Sequence, residues 1–211
     1  MNKPDVIVRY TAAVRIEHWI VAISFVLLAL SGLALFHPAL FWLTNLFGGG
    51  PWTRILHPFI GIFMVAAFCL LAVKMWPENY LQRSDWIWLE KIGDVIHNRE
   101  ENVPEVGRYN AGQKLLFFTI VGCLGVLLLT GIVIWRVYFS AYFPIAVIRL
   151  ASVLHAFFAF VLICSIIVHI YAATWIKGSI RAMTRGWVTL GWAWKHHRAW
   201  FRQMTRSASQ K

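Results

Sequence analysis

The chain has 211 residues, 59% of them hydrophobic and only 14% charged, with a formal net charge of +11. A soluble domain carries about a quarter charged residues spread over its surface, whereas here the charges are gathered between long apolar runs. An ordinary soluble globule is excluded, and an integral membrane protein follows.

Four runs are nearly free of charge after their first turn: residues 19–36, 55–73, 115–135 and 150–176. Each approaches or exceeds the roughly 17–25 residues that cross a hydrocarbon core of about 30 Å. A helix is the element that satisfies its own backbone in lipid. The expected class is therefore an all-α, four-transmembrane-helix membrane protein forming one integral domain over residues 1–211. Its spans are placed near 16–36, 53–76, 112–136 and 149–176. The first run follows Arg9 and Arg15 like a signal peptide, but no small-residue cleavage site follows it, so it is read as a retained span.

Loop charge sets the orientation. Lys3, Arg9 and Arg15 precede the first span; Lys74, Arg83, Lys91, Arg99, Arg108 and Lys114 fall between the second and third; eight Lys or Arg follow the fourth. Arg54, Arg136 and Arg149 are alone on the other side. Both termini, the loop 77–111 and the basic tail 177–211 are expected to be cytoplasmic. In the loop, Trp86, Ile87, Trp88, Leu89, Ile92, Val95 and Ile96 recur at near-helical intervals, as in an interfacial helix or one packed on its own protein. The tail interleaves Lys177, Arg181, Arg185, Lys195, Arg198, Arg202 and Arg206 with Trp187, Trp192, Trp194 and Trp200. That composition suits anionic headgroups, and nucleic acid is not an expected partner. Cys69, Cys123 and Cys164 lie within spans and read as small hydrophobes.

Ionisable groups inside a span are expensive and tend to be paired, ligated or functional. His18 and His57 open the first and second spans. His155 and His169 stand fourteen residues apart in the fourth, within about 40° of one face and about 21 Å apart in depth. With the orientation above, His18 and His169 share the cytoplasmic level, and His57 and His155 the outer level. Two facing imidazoles suit axial ligation of haem iron, with both positions filled and the metal fitted to electron transfer. No Cys-x-x-Cys-His motif is present, so the haem is expected to be noncovalent and b-type. Two His alone make a poor zinc site, and no intramembrane Cys, Asp or Glu stands near to complete one. Gly32, Gly61 and Gly131 leave room for a flat macrocycle or for close helix packing. His37, His97, His196 and His197 read as surface residues. At the mouth of the third span, Asn110 is first of all an N-cap. With Gly112 and Gln113, at the depth of His169, it also offers amides for a quinone carbonyl; the two roles are compatible.

The segments Ile7-Val8-Arg9-Tyr10, Arg54-Ile55-Leu56-His57-Pro58-Phe59, the run 107–114, Gly131-Ile132-Val133-Ile134-Trp135-Arg136, His169-Ile170-Tyr171 through Lys177-Gly178, and Lys195-His196-His197-Arg198 with Trp200 carry a resemblance. Over essentially its whole length the chain resembles the membrane cytochrome b (gamma) subunit of the respiratory formate dehydrogenases of enterobacteria. The resemblance implies a di-haem b cytochrome of the bacterial inner membrane. It implies His57 and His155 as ligands of the periplasmic-side haem, and His18 and His169 as ligands of the cytoplasmic-side haem. Asn110, Gly112, Gln113 and His169 would border a menaquinone (or ubiquinone) site. The implied partners are an iron–sulfur (beta) subunit and a molybdenum or tungsten catalytic (alpha) subunit, the heterotrimer joining in a higher oligomer. Formate oxidation itself would lie in the alpha subunit. Val137 and Arg198 replace prolines of the family pattern, neither at a ligand position. The four-helix plan is also similar to that of hydrogenase and thiosulfate reductase cytochrome subunits, which leaves a hydrogenase partner or a free-standing quinone-linked cytochrome as alternatives. Arg54 and Arg149 on the outer side, and Arg9, Arg15 and Lys177 on the inner, are candidate partners for haem propionates.

Overall fold

The computed structural model describes residues 6–97 and 99–209; Lys3, counted above for orientation, lies outside them. Four helices are long and apolar enough to cross a membrane: α1 (Ala12–Phe36), α2 (Gly50–Met75), α5 (Ala111–Ile134) and α6 (Ile145–Trp175). The chain is a multi-pass membrane protein of the four-span helical class. Shorter elements complete it: β1 (Val6–Val8), α3 (Arg83–Glu90), α4 (Ile92–Ile96), α7 (Ser179–Arg185), β2 (Trp187–Thr189), α8 (Leu190–His196) and α9 (Arg198–Ser209). Each of these helices starts before the apolar stretch that announces it. α6 starts at Ile145, four residues before the expected 149, and its 31 residues extend about 46 Å, well beyond the hydrocarbon core.

Local chemistry sets the boundaries. Thr11 starts α1, its Oγ1 accepting from Val14 N at 3.4 Å. α1 stops at Phe36, before a proline-led 3₁₀ helix (Pro38–Phe47) in which His37 Nδ1 accepts from Ala39 N at 3.2 Å. That helix ends on Gly48 in the left-handed region, at φ 85°. Pro58 sits inside α2, immediately after His57, and its missing N–H removes the bond that would run to the Arg54 carbonyl. Beyond α2, Asn79 is buried and its amide donates to Met75 O at 2.8 Å.

Contacts divide the chain into two compact units. The membrane unit comprises Ile16–Ala72 and Thr119–Val168. Between 6% and 22% of the most apolar window of each span is buried, so most residues of the spans keep some surface exposed for lipid or for other chains. The second unit is built from the N-terminus, Val73–Phe118 and the segment from His169 onward. Here β1 and β2 pair antiparallel, Val6 opposite Thr189 and Val8 opposite Trp187, a small ribbon added to an otherwise helical chain. Its core joins Tyr10, Tyr109, Ala182, Val188, Ala193 and Trp200. The tail is thus a folded element, and Trp200, only 4% exposed, belongs to its core rather than to a headgroup belt. The loop helix divides its faces: Trp88 is buried, whereas Trp86, Ile87, Ile92 and Ile96 are exposed.

Candidate cofactor site

In the membrane unit, α2 and α6 bring His57 and His155 together. Their ring centroids are 6.3 Å apart with planes inclined at 65°. Each ring is tethered at Nδ1: Ser31 Oγ of α1 lies 2.8 Å from His57 Nδ1, and Thr130 Oγ1 of α5 lies 2.9 Å from His155 Nδ1. The open nitrogen of both rings is therefore Nε2. Two metal–imidazole bonds of about 2.0 Å in line, with each nitrogen about 1.2 Å from its ring centre, place centroids roughly 6.4 Å apart. The observed spacing fits one metal ion held between two imidazoles. Among the described residues no His, Cys, Asp or Glu joins them to make a group of three; two imidazoles alone are a donor set that would suit haem iron better than the four ligands usual for zinc.

The glycines differentiate. A Cβ on Gly32 would stand 3.3 Å from His57 Cε1, and one on Gly131 would stand 3.4 Å from His155 Cε1; both lie against the imidazole rings. Gly61 instead faces Leu28, at 3.8 Å, a helix-packing position. His18, half-buried on α1, sets its ring edge-on to Trp19 with centroids 5.4 Å apart. His169, also half-buried, begins the stretch of α6 assigned to the second unit.

At the start of α5 the capping role of Asn110 is realised in reciprocal form. Asn110 Oδ1 accepts from Gln113 N at 2.9 Å, and Gln113 Oε1 accepts from Asn110 N at 3.0 Å. Both residues also line a cleft of about 650 Å³, including its open mouth, together with Trp88, Ile176, Lys195 and His196. Ile176 lies seven residues after His169, two helical turns along nearly the same face. Gly112 backs this corner: a Cβ there would lie 3.5 Å from Asn110 Oδ1 and 3.6 Å from the Trp88 ring. Each cap amide keeps its NH₂ as donor, so the cleft wall has hydrogen-bond donors beside apolar and aromatic surface.

Residues 9–186 match the family model of prokaryotic cytochrome b561. The chain belongs to the prokaryotic cytochrome b561 family. It is 46% identical, over all of its length and 99% of the relative's, to the formate dehydrogenase cytochrome b556(fdo) subunit of Escherichia coli (strain K12). It is 43% identical, over all of its length and 97% of the relative's, to the nitrate-inducible cytochrome b556(Fdn) subunit of the same strain. With the formate dehydrogenase cytochrome b556 subunit of Haemophilus influenzae it shares 44% identity over 93% of this chain and 83% of that one. The resemblance read from the sequence segments thus holds along the whole chain. Membership of a b-type cytochrome family makes haem b the cofactor to fit, and the His57 and His155 pair is a suitable cradle.

Three features of this cytochrome escape a sequence reading. Ser31 and Thr130 are inconspicuous hydroxyls, visible only as a Ser-Gly and a Thr-Gly step in two spans. His197, read as a surface residue, is 2% exposed; its Nδ1 donates to Gly107 O at 2.8 Å, and burial is the main cause holding its pKa well below 6.5. Arg9, offered as a propionate partner, is likewise 2% exposed. Its guanidinium donates to Arg108 O at 2.7 Å and lies within 6.0 Å of the Tyr10, Tyr109, Trp192 and Trp200 rings. Its side chain packs among the aromatic rings of the second unit's core. Around it, burial raises the Tyr109 pKa, with Tyr10 adding to the shift.

Proposed function

We propose that this chain is the cytochrome b subunit of a respiratory formate dehydrogenase in the bacterial inner membrane, passing electrons from an iron–sulfur subunit to menaquinone. The likeness to three formate dehydrogenase cytochrome b556 subunits, over the whole chain for two of them, supports the partner assignment. A molybdenum or tungsten catalytic subunit would oxidise formate outside, and both termini of this chain would be cytoplasmic. The observation that carries the reading is the facing pair of tethered rings, His57 and His155, at 6.3 Å.

Haem b, when bound, would supply reversible one-electron chemistry. This chain's part would be to hold it: His57 and His155 would take the outer haem, and His18 and His169 the inner. A hydrocarbon-flanked setting keeps water from the outer pair. At the inner face, the NH₂ groups of Asn110 and Gln113 would donate to a quinone carbonyl, and the open cleft they line would admit water.

The test is a haem count on the purified complex. The parent should carry about two haem b per chain, reducible by formate, and the double substitution His57→Ala with His155→Ala should carry one. Retention of two would overturn the pairing. Reduction by hydrogen and not by formate would move the chain to a hydrogenase.

A further inference from the structure

Ser31 and Thr130 stand in the same relation to the two outer histidines, although they come from different helices. Each is followed by glycine, Gly32 and Gly131. Each meets a ring on the next membrane-spanning helix, 26 and 25 residues along the chain. A hydroxyl has a single hydrogen, and here it is already given away. Ser31 Oγ donates to Leu28 O at 3.2 Å. Thr130 Oγ1 donates to Val126 O at 2.7 Å, with Leu127 O at 3.3 Å. Each hydroxyl oxygen therefore faces its ring as an acceptor, and Nδ1 of both rings must carry the proton. Nε2 is left as the lone-pair nitrogen in both rings.

The glycines make this possible sterically. Cε1, the carbon between the two ring nitrogens, lies close enough to each glycine that an added Cβ would be only 3.3 Å away at Gly32 and 3.4 Å at Gly131. The bare Cα lets the ring approach the neighbouring helix closely while Nδ1 reaches the hydroxyl one residue earlier.

We infer that Ser31–Gly32 and Thr130–Gly131 are two equivalent positioning pairs that fix the tautomer and tilt of His57 and His155 and set the donor strength of their Nε2 atoms toward haem iron. This rests on the proposed ligand assignment. An Nδ1–H that donates to an acceptor makes Nε2 a stronger ligand, which favours the ferric form. Removing the acceptor weakens that ligand and raises the reduction potential.

The experiment uses the intact complex carrying Ser31→Ala, Thr130→Val, Ser31→Thr, Thr130→Ser or Gly131→Ala, with redox titration of each haem and electron paramagnetic resonance of the ferric state. In Ser31→Ala and Thr130→Val, the potential of one haem rises, its low-spin ferric signal shifts, and its affinity falls by roughly ten- to a hundred-fold, while the other haem keeps its parental values. Ser31→Thr and Thr130→Ser retain the acceptor and stay near the parent. Gly131→Ala keeps the hydroxyl but crowds Cε1, and shifts the ferric signal of the same haem, a readout that stands even if the hydroxyl deletions fail to assemble. Parental potentials and spectra in the deletions or in Gly131→Ala would overturn the inference, as would conservative variants that shift as far as the deletions. Retention of both haems after His57→Ala with His155→Ala would instead overturn the ligand assignment, and the pairs with it.

Discussion

Arg9 and His197, 188 residues apart in sequence, meet inside the second unit with Arg9 Nη2 3.2 Å from His197 Nε2. A guanidinium only donates, so Nε2 accepts and the ring is neutral, with its one proton on Nδ1 toward Gly107 O. Protonating Nε2 would remove the acceptor and set two cations together. Burial first, then Arg9, holds the His197 pKa well below 6.5. Among the charged groups around it, Arg108 also donates to the Arg9 carbonyl and pairs with Glu78 at 3.2 Å.

Acid should therefore loosen the second unit. Unfolded, the ring takes a proton near pH 6.5; folded, it does so only well below that. The stability it contributes is whole above about pH 6.5 and is lost as pH falls from there toward the folded value. Hydrogen exchange of residues 186–206 between pH 8 and 5 should show protection falling on the acid side. His197→Asn, which keeps a donor and an acceptor but does not titrate, should flatten that slope. An equal slope in parent and variant would place the acid sensitivity elsewhere.

Lys114 and Asp85 form a buried ion pair at 2.8 Å, with Lys114 Nζ also donating to Tyr80 O at 3.0 Å and Asp85 accepting from Gln82 N at 2.7 Å. Both residues are under 8% exposed. Removing one partner leaves a buried charge, so Lys114→Met should cost about 3–5 kcal/mol. Lys114→Met with Asp85→Leu should cost much less. Thermal unfolding of the detergent-solubilised protein measures the difference, and equal losses would show that the residues do not act as a pair.

Gly186 is where the N-terminal strand crosses the tail. Its carbonyl accepts from Arg9 N at 2.8 Å and from Tyr10 N at 3.1 Å, its φ is 87°, and a Cβ would stand 2.8 Å from the Tyr10 carbonyl oxygen. Gly186→Ala combines left-handed strain of roughly 1–3 kcal/mol with a backbone clash. Gly191 lies within α8 with nothing within 4 Å of its added Cβ; Gly191→Ala should be neutral or stabilising by about 0.5–1 kcal/mol. Proteolytic protection of the tail should separate the two variants.

What could be read from the chain alone follows from which forces act along it. The four spans and the histidines within them are legible because lipid imposes long apolar runs, against which an ionisable residue stands out. The Asn110 and Gln113 cap is legible because capping is local, three residues end to end. Arg9 with His197 is not: an arginine before the first span and a histidine among tail charges each look solvated, and only the strand pairing of Val6–Val8 with Trp187–Thr189 brings them together. Ser31 and Thr130 were hidden differently, because mid-helix hydroxyls commonly bond their own helix carbonyls. Their second bond, to a ring on the next helix, exists only in three dimensions.

The quinone assignment can be separated from the helix cap by choosing side chains that split the two roles. Gln113 Oε1 caps Asn110 N, and its NH₂ remains for a ligand. Gln113→Glu keeps the accepting oxygen but removes the donor, whereas Gln113→Leu removes both. Asn110→Asp does the same at the other end of the cap. In the intact complex, all three variants should be reduced by formate to the parental haem level. Menaquinol formation should slow by roughly ten-fold or more wherever a donor is lost, about the 1.4 kcal/mol scale of one hydrogen bond. Stopped-flow reduction of haem followed by reoxidation with a quinone analogue gives both numbers in one trace. Parental quinone turnover in Gln113→Glu and Asn110→Asp would leave these residues as a helix cap alone.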